Sequence, residues 1–363
     1  MTKYELGNIL IYEQPTKYIV KSENYDDSFP VPVLTPGQTF ILGYTAETEG
    51  VYSAPLPVII FDDFTTATKL VNFPFKVKSS AMKILKPANE NVFLPYWYYF
   101  LSSLKVDNGL HKRYWISVFA NKQVFCPTLL EQKRIAGILD KVQSLIALQK
   151  QQLEKLDLLI KSKFIDMFGD PVTNPKNWPI RRMGDVFKIT SGGTPSRKHI
   201  EYFENGTIPW VKTGDLKSQY LVDTEEHISE LGLQNSSAKV FPQGTVLLAM
   251  YGATIGAASV LNIQAATNQA CAAFLPTTDM LPEFLYMYLL LRKEHFISLG
   301  VGGAQPNISG EILKREKILC PSINEQRNFV KFSCVINRYK EYLQKRLIHL
   351  ETLYKSLMQE YFG

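Results

Sequence analysis

Cysteine is scarce in this 363-residue chain, with Cys126, Cys271, Cys320 and Cys334 as its four thiols and no CxxC pair among them. That scarcity argues against a disulfide-stapled secreted domain and against a cysteine zinc site. The chain also lacks a basic-then-apolar leader and any run of about 18 apolar residues. We therefore expect a cytoplasmic protein with no membrane segment.

Motifs of independent catalysis are missing too. There is no GxxxxGK[ST] phosphate loop and no HExxH zinc motif, and the five histidines are scattered. The nearest approach to the Asn/Asp-Pro-Pro-aromatic box of adenine methyltransferases is Asn174–Asn177 (NPKN), which lacks the second proline and the ring and is typical of a linker turn. We predict a non-catalytic chain that binds no cofactor or metal itself.

An internal repeat organises the chain. Residues 124–169 and 318–363 align without a gap at an offset of 194, and each copy opens with Cys-Pro and closes on Gly. Nothing between these marks interrupts a helix. At 1.5 Å per residue, a helix from Glu131 to Phe168 would be about 55 Å long.

Apolar residues in both copies recur at alternating three- and four-residue steps, which indicates a coiled-coil seam interrupted in the first copy by Gln149. The predicted seam residues are Ile135, Leu139, Val142, Ile146, Leu153, Leu156, Ile160, Phe329, Ile336, Leu343, Leu347, Leu350, Tyr354 and Leu357.

A weaker repeat precedes each helix. Residues 6–9 resemble 183–186, and 79–87 resemble 268–276. Short apolar or β-branched runs between Gly, Pro, Asn and Asp predict mostly-β globules with a few helices, so the fold class is α+β.

The predicted order is a globule at 1–125, a spacer helix at 126–169, a second globule at 170–315 and a second spacer helix at 316–363. Burying both seams makes the helices antiparallel, with the two globules related by a pseudo-two-fold axis. Such a molecule suits an extended ligand with two half-sites, such as duplex DNA. The net charge of +6 permits DNA without demanding it, because the globules are +1 and 0 and the helices carry +5.

Several short sequence motifs, called phrases below, give the chain a family resemblance. Each helix is entered through CP-x-x-x-EQ, and the second globule contains five further phrases: Thr190–Ser196 (TSGGTPS), Ile208–Asp215 (IPWVKTGD), Val246–Gly252 (VLLAMYG), Ala266–Gln269 (ATNQ) and Gly303–Ser309 (GAQPNIS). With these the chain resembles the specificity subunit of type I restriction–modification systems.

The resemblance implies two target-recognition domains that read a bipartite double-stranded DNA sequence. It also implies recruitment of two methyltransferase subunits, which methylate adenine with S-adenosylmethionine. Two restriction subunits using ATP and Mg²⁺ join in the full complex.

The candidate DNA contacts are polar or basic residues in turns, because Arg and Lys suit guanine or phosphate, Asn and Gln suit adenine, and Ser and Thr suit either base. For each of them turn capping is an equally good explanation. They are Tyr44, Thr45, Lys76, Lys78, Ser79, Ser80, Arg113, Thr194, Arg197, Lys198, Lys212, Thr213, Tyr251, Thr254, Asn268, Gln269, Gln305 and Asn307.

The glycines of TSGGTPS are interpreted as a tight turn between strands rather than a phosphate loop. The aromatic residues that follow Leu-Pro in each half are interpreted as core or partner-docking residues.

Two other functions stay open from the residues. A fused modification–restriction enzyme would need catalytic boxes for which the chain has no room. A coiled-coil adaptor that presents two β domains to proteins without touching DNA fits the same architecture.

Overall fold

The structure is a computed structural model that describes residues 3–35, 39–104, 113–301 and 306–363. It is α+β, as predicted, and divides into two compact units. Unit 1 comprises residues 1–150 and 345–363, and unit 2 comprises residues 151–344. Within the described ranges, no helix is long and apolar enough to cross a membrane.

The first half of the chain contains nine strands and three α-helices among its described residues. In chain order they are β1 (Lys3–Glu5), α1 (Leu6–Ile9), β2 (Leu10–Glu13), β3 (Val31–Leu34), β4 (Ile41–Thr45), β5 (Val58–Asp62), β6 (Thr68–Val71), β7 (Lys76–Val77), β8 (Met82–Pro87), α2 (Leu94–Ser103), β9 (Gln123–Phe125) and α3 (Leu129–Phe168), with a 3-10 turn at Pro15–Tyr18 and a π-helical turn at Trp115–Phe119.

The second half repeats this frame with additional strands. Its elements are β10 (Ile180–Arg182), α4 (Met183–Val186), β11 (Ile189–Ser191), β12 (Ile208–Val211), β13 (Tyr220–Leu221), β14 (His227–Ile228), α5 (Glu230–Gln234), β15 (Val240–Phe241), β16 (Val246–Ala249), β17 (Ala258–Leu261), β18 (Ala265–Thr267), β19 (Cys271–Phe274), α6 (Pro282–Leu291), α7 (Lys293–Ser298), α8 (Gly310–Arg315), β20 (Lys317–Leu319) and α9 (Ile323–Phe362), with 3-10 turns at Ile200–Tyr202, Thr213–Asp215 and Gly252–Thr254.

The weaker repeat corresponds to matching sheets. Unit 1 has the strand order β2-β8-β5-β6, and unit 2 has β11-β19-β16-β17-β13. The strands β5 and β16 are buried along their whole length, which explains why residues 58–61 and 246–249 are continuous apolar runs rather than alternating ones.

A second sheet in each unit contains a parallel pair. Its order is β4-β3-β7 in unit 1 and β14-β12-β18-β15 in unit 2, where β3 runs parallel to β7 and β12 parallel to β18. Parallel strands end at the same sheet edge, so the segments that follow them are brought together.

The two predicted long helices are present. The helices α3 and α9 are each 40 residues long. Gly169 ends α3 with a positive φ of 80°, and its N–H donates to the carbonyl of Ile165 at 2.7 Å. This is the left-handed cap that favours glycine, and it explains the glycine that closes the first copy.

The helices pair antiparallel inside each unit. In unit 1 Gln143 Nε2 donates to Tyr354 Oη at 3.0 Å, and Lys150 lies 2.9 Å from Glu351. In unit 2 Lys340 pairs with Asp157. Residue numbers therefore rise along one helix as they fall along the other, and all fourteen predicted seam residues are buried or half-buried.

The ends of the helices pack into the globules as well as onto each other. Ile160, Phe164 and Phe168 belong to the unit 2 core, where the Phe164 ring meets Phe329 edge-on at 5.3 Å and Phe284 at 5.2 Å. The aromatic residues after Leu-Pro lie on α2 and α6 and supply the other side of these cores. Their interpretation as core residues therefore fits the packing.

Candidate nucleic-acid interface

The edge at the ends of β12 and β18 gathers polar side chains in unit 2. Lys212 follows β12, and Asn268 and Gln269 follow β18. The Asn268 N–H donates to the Val211 carbonyl at 2.9 Å, which continues the parallel pairing beyond the strands. Lys212 and Asn268 are half-buried and Gln269 is exposed, so this edge presents polar groups to solvent.

The TSGGTPS segment packs onto the same edge. The Gly193 N–H donates to the Thr267 carbonyl at 2.9 Å, and Thr194 Oγ1 donates to Gln269 Oε1 at 2.5 Å. A Cβ on Gly192 would lie 1.9 Å from the Thr267 carbonyl oxygen. Gly192 is thus required by close approach to β18, and Gly193 by close approach to Ser237, whose Oγ would lie 2.0 Å from a Cβ at that position. Neither glycine is required by the tight turn that the sequence suggested.

A second polar cluster in unit 2 contains Tyr251, Thr254 and Asn307. Isolated bridges join Tyr251 to Asn307 and Asn307 to Val301. Tyr251 is 41% exposed, whereas Thr254 Oγ1 donates to the Tyr251 carbonyl at 2.9 Å and caps the turn. The predicted contact Gln305 lies outside the described residues.

A cavity of about 380 Å³ connects this cluster to the strand edge. Its wall includes Tyr251 and Gln269, together with Thr190, Ser191 and Lys314. The structure therefore brings residues from four separate phrases of the sequence to one surface of unit 2.

The corresponding edge of unit 1 follows β7. Lys78, Ser79 and Ser80 come directly after this strand, as Asn268 and Gln269 do after β18. Lys78 Nζ lies 2.7 Å from Glu23 Oε1, while Ser79 Oγ accepts the Ala81 N–H at 3.3 Å. Ser80 is exposed.

Two predicted contacts in unit 1 are turned inward. Lys76 is 1% exposed, and its ammonium group donates to the Glu49 carbonyl at 2.6 Å and lies 2.8 Å from Glu47 Oε2. Thr45 is equally buried, and its hydroxyl accepts the Glu47 N–H at 3.3 Å. Their polar groups are satisfied inside the domain, so we remove both from the set of DNA contacts.

Two further lysines of unit 1, Lys83 and Lys86, are also paired with acids. Lys83 is buried 3.2 Å from Asp63, and Lys86 lies 2.5 Å from Glu13. These partners are distant in sequence, so no local pattern of residues marks them.

The other two predicted contacts of unit 1 lie nearer the surface. Tyr44 is half-buried on β4, and Arg113 is exposed.

The remaining basic candidates lie in unit 2. Glu226 accepts from Arg197 Nη2 and from Lys212 Nζ, both at 2.5 Å. The Lys212 hydrogen bond, followed by that from Arg197, holds the pKa of Glu226 below its usual value, so this carboxylate stays ionised at neutral pH. Lys198 is exposed, and Thr213 is half-buried at the start of a 3-10 turn. Sequence reasoning missed Glu226, which no motif marks.

Comparisons with known proteins agree with this architecture. Residues 175–351 match the family model of the type I restriction modification DNA specificity domain. Two solved structures share the fold: the S subunit of a type I restriction-modification system from M. genitalium (TM-score 0.65, 15% identity, covering 100% of this chain and 96% of that chain) and a chain from a study of type I R-M complex assembly (TM-score 0.58, 18% identity, covering 99% and 97%).

Sequence relatives are more informative. The EcoR124I/EcoR124II specificity subunit of Escherichia coli is 36% identical over 364 residues, which cover 94% of this chain and 89% of that protein. The MjaIX specificity subunit of Methanocaldococcus jannaschii is 30% identical over 191 residues, covering 51% and 43%. The chain belongs to the family of type I restriction enzyme specificity subunits.

Proposed function

We propose that this chain reads a bipartite double-stranded DNA target, one half-site with each unit, as the specificity subunit of a type I restriction–modification complex. The observation that carries the proposal is the repeated edge after a parallel strand pair. Each unit places polar side chains there, and they differ between the units: Lys78, Ser79 and Ser80 in unit 1, and Lys212, Asn268 and Gln269 in unit 2. Side chains of this kind can hydrogen-bond base edges in the major groove.

The long helices suit a second task, which is to hold methyltransferase subunits. Their seams face inward, yet Leu145, Leu148, Val335, Tyr339 and Tyr342 are about half or more exposed. Exposed apolar side chains grouped along a helix are typical of protein interfaces. We propose that two methyltransferase subunits dock there, and that two restriction subunits join through them.

In this assembly the chain itself is non-catalytic and works in the cytoplasm. S-adenosylmethionine belongs to the methyltransferase subunits, and ATP and Mg²⁺ belong to the restriction subunits. Among the described residues, no group of His, Cys, Asp or Glu is arranged to hold a metal ion.

Domain exchange tests the proposal. The chain is co-expressed with its methyltransferase, with residues 1–125 either native or replaced by those of a relative, and the methylated sites are mapped by methylome sequencing. We expect one half of the recognised sequence to change and the other to persist. A change in both halves would contradict reading by separate units.

A gel shift separates this function from that of an adaptor. The purified chain with its methyltransferase is mixed with random-sequence duplexes over a range of salt concentrations. We expect binding that weakens as salt rises, because phosphate contacts release counterions. Absence of binding at every salt concentration would favour the adaptor.

A further inference from the structure

Arg197 is held in an unusual environment for a surface arginine. Its Cζ lies 4.3 Å from the centre of the Phe203 ring and 5.3 Å from that of Trp210. The two rings meet edge to face at 6.0 Å, so the guanidinium occupies a corner between them. Cation–π contacts of this kind hold a planar cation in one orientation.

The corner is itself built into the strand edge. Trp210 is 2% exposed, and its Nε1 donates to the Gly193 carbonyl at 3.1 Å, which fastens the TSGGTPS segment that leads to Arg197. The Trp210 N–H donates to the Glu226 carbonyl at 2.9 Å. These two hydrogen bonds therefore fix Trp210 against the TSGGTPS segment and against the backbone of Glu226.

Glu226 restricts the rotation of the Arg197 guanidinium within the corner between the two rings. One carboxylate oxygen accepts from Arg197 Nη2, and the other accepts from Lys212 Nζ. The Arg197 side chain is nevertheless 55% exposed, and within the described part of the chain the hydrogen bonds found for it use only Nη2. Glu226 takes only one of the two N–H groups of Nη2. The other N–H of Nη2 remains available to a ligand, together with the N–H of Nε or Nη1 that lies parallel to it.

We propose that Arg197 reads a guanine in the half-site recognised by unit 2, with Glu226 as its positioning residue. A guanidinium donates two parallel hydrogen bonds, which match the O6 and N7 acceptors of guanine in the major groove. Because the side chain is already oriented, less conformational entropy is lost on binding than for a free surface arginine. This inference rests on the proposed function and adds one base identity to it.

Exposed Lys198, the next residue, provides the contrast. It has no aromatic contact or ion pair among the contacts found in the described residues. We expect it to act on the phosphate backbone, which is recognised by charge without sequence preference.

Methylation specificity of the full chain with its methyltransferase tests the inference, using wild type, Arg197→Lys, Arg197→Gln and Lys198→Gln. The Lys variant keeps a cation for the rings and for Glu226 but loses the bidentate fork. We expect both Arg197 variants to lose discrimination at one guanine of the unit 2 half-site by about 5- to 100-fold, with the other half-site unchanged. Lys198→Gln should weaken methylation of all sites alike.

Glu226→Gln provides a second readout. We expect it to reduce discrimination at the same guanine in the wild-type background and to have no further effect on specificity in Arg197→Gln. That pattern would support positioning through Arg197, whereas equal effects in both backgrounds would overturn it.

Three results would overturn the assignment: a unit 2 half-site without guanine, unchanged specificity in both Arg197 variants, or a uniform loss over all sites as in Lys198→Gln. If wild type itself neither binds nor directs methylation to a bipartite sequence, the proposed function fails instead.

Discussion

The amide of Gln326 joins α9 to the segment that opens α6: its Oε1 accepts the Leu281 N–H at 2.8 Å. Its Nε2 donates to the Asp279 carbonyl at 3.1 Å and to the Pro321 carbonyl at 2.9 Å. Gln326 is fully buried, so these backbone groups depend on it. The glutamine of the CP-x-x-x-EQ phrase is thus a structural clamp.

Its repeat mate Gln132 makes the same set of contacts in unit 1. Oε1 accepts the Phe93 N–H at 2.8 Å, and Nε2 donates to the carbonyls of Asn91 at 3.0 Å and Pro127 at 2.9 Å. In unit 1 the glutamine bridges the Asn91 carbonyl and the Phe93 N–H, just before α2, and in unit 2 it bridges the Asp279 carbonyl and the Leu281 N–H, just before α6. The two bridged residues are two positions apart in both units. The glutamine of the repeated motif therefore forms the same hydrogen-bonded connection between spacer helix and globule in both units.

Removing this clamp should destabilise unit 2. Gln326→Ala removes a buried amide and leaves the Leu281 N–H and the Asp279 and Pro321 carbonyls without this partner, so we expect the free energy of unfolding to fall by about 2–4 kcal/mol. Urea denaturation measures it. The control is Gln344→Ala at an exposed position of the same helix, which should change stability by less than about 0.5 kcal/mol. Equal stability of the two variants would show that the clamp is dispensable.

Gly192 should not tolerate a side chain. The Cβ of Gly192→Ala would overlap the Thr267 carbonyl, so the TSGGTPS segment must leave the strand edge. We expect a lower melting temperature and loss of methylation at the unit 2 half-site. Gly214→Ala is the matched control, since a Cβ there meets nothing within 4 Å. If both variants behave alike, close approach to Thr267 does not explain the glycine at position 192.

The buried amide of Gln149 offers a stabilising substitution. Gln149 is 5% exposed, and its Nε2 has no hydrogen-bond partner among the described residues. We expect Gln149→Leu to raise the free energy of unfolding by about 1–3 kcal/mol, because an unsatisfied buried donor is removed. Gln143→Leu is the control: it should destabilise, since Gln143 donates to Tyr354 and accepts from Tyr99. A loss of stability on Gln149→Leu would contradict the reasoning.

Glu13 should contribute to the acid sensitivity of unit 1. Burial tends to raise the pKa of Glu13, but hydrogen bonds from Lys17, Lys86 and Tyr18 lower it to about 2. Since this folded-state pKa lies below the ordinary value of 4.5, the stabilisation is present above pH 4.5 and is lost as pH falls toward 2. The free energy of unfolding of Glu13→Gln should therefore fall less steeply than that of wild type as the pH is lowered from 4.5 to 2.

Denaturation at a series of pH values measures the effect, with Glu90→Gln as an exposed control. Identical pH profiles for wild type and Glu13→Gln would show that the ion pairs of Glu13 do not stabilise the fold.

The sequence by itself was enough for the long helices and the repeated frame. Local signals suffice there: an uninterrupted seam, a closing glycine such as Gly169 and the apolar runs that became β5 and β16 all act over a few residues. The family resemblance came from the same contiguous phrases.

Only the tertiary structure decided which polar residues face solvent. Lys76 looked like a DNA contact because its carboxylate partner, Glu47, is remote in sequence and approaches it only in the folded chain. Arg197 and Glu226 become neighbours for the same reason. Charge pairing and close approach are long-range properties of the packed chain, so a pattern of neighbouring residues does not reveal them.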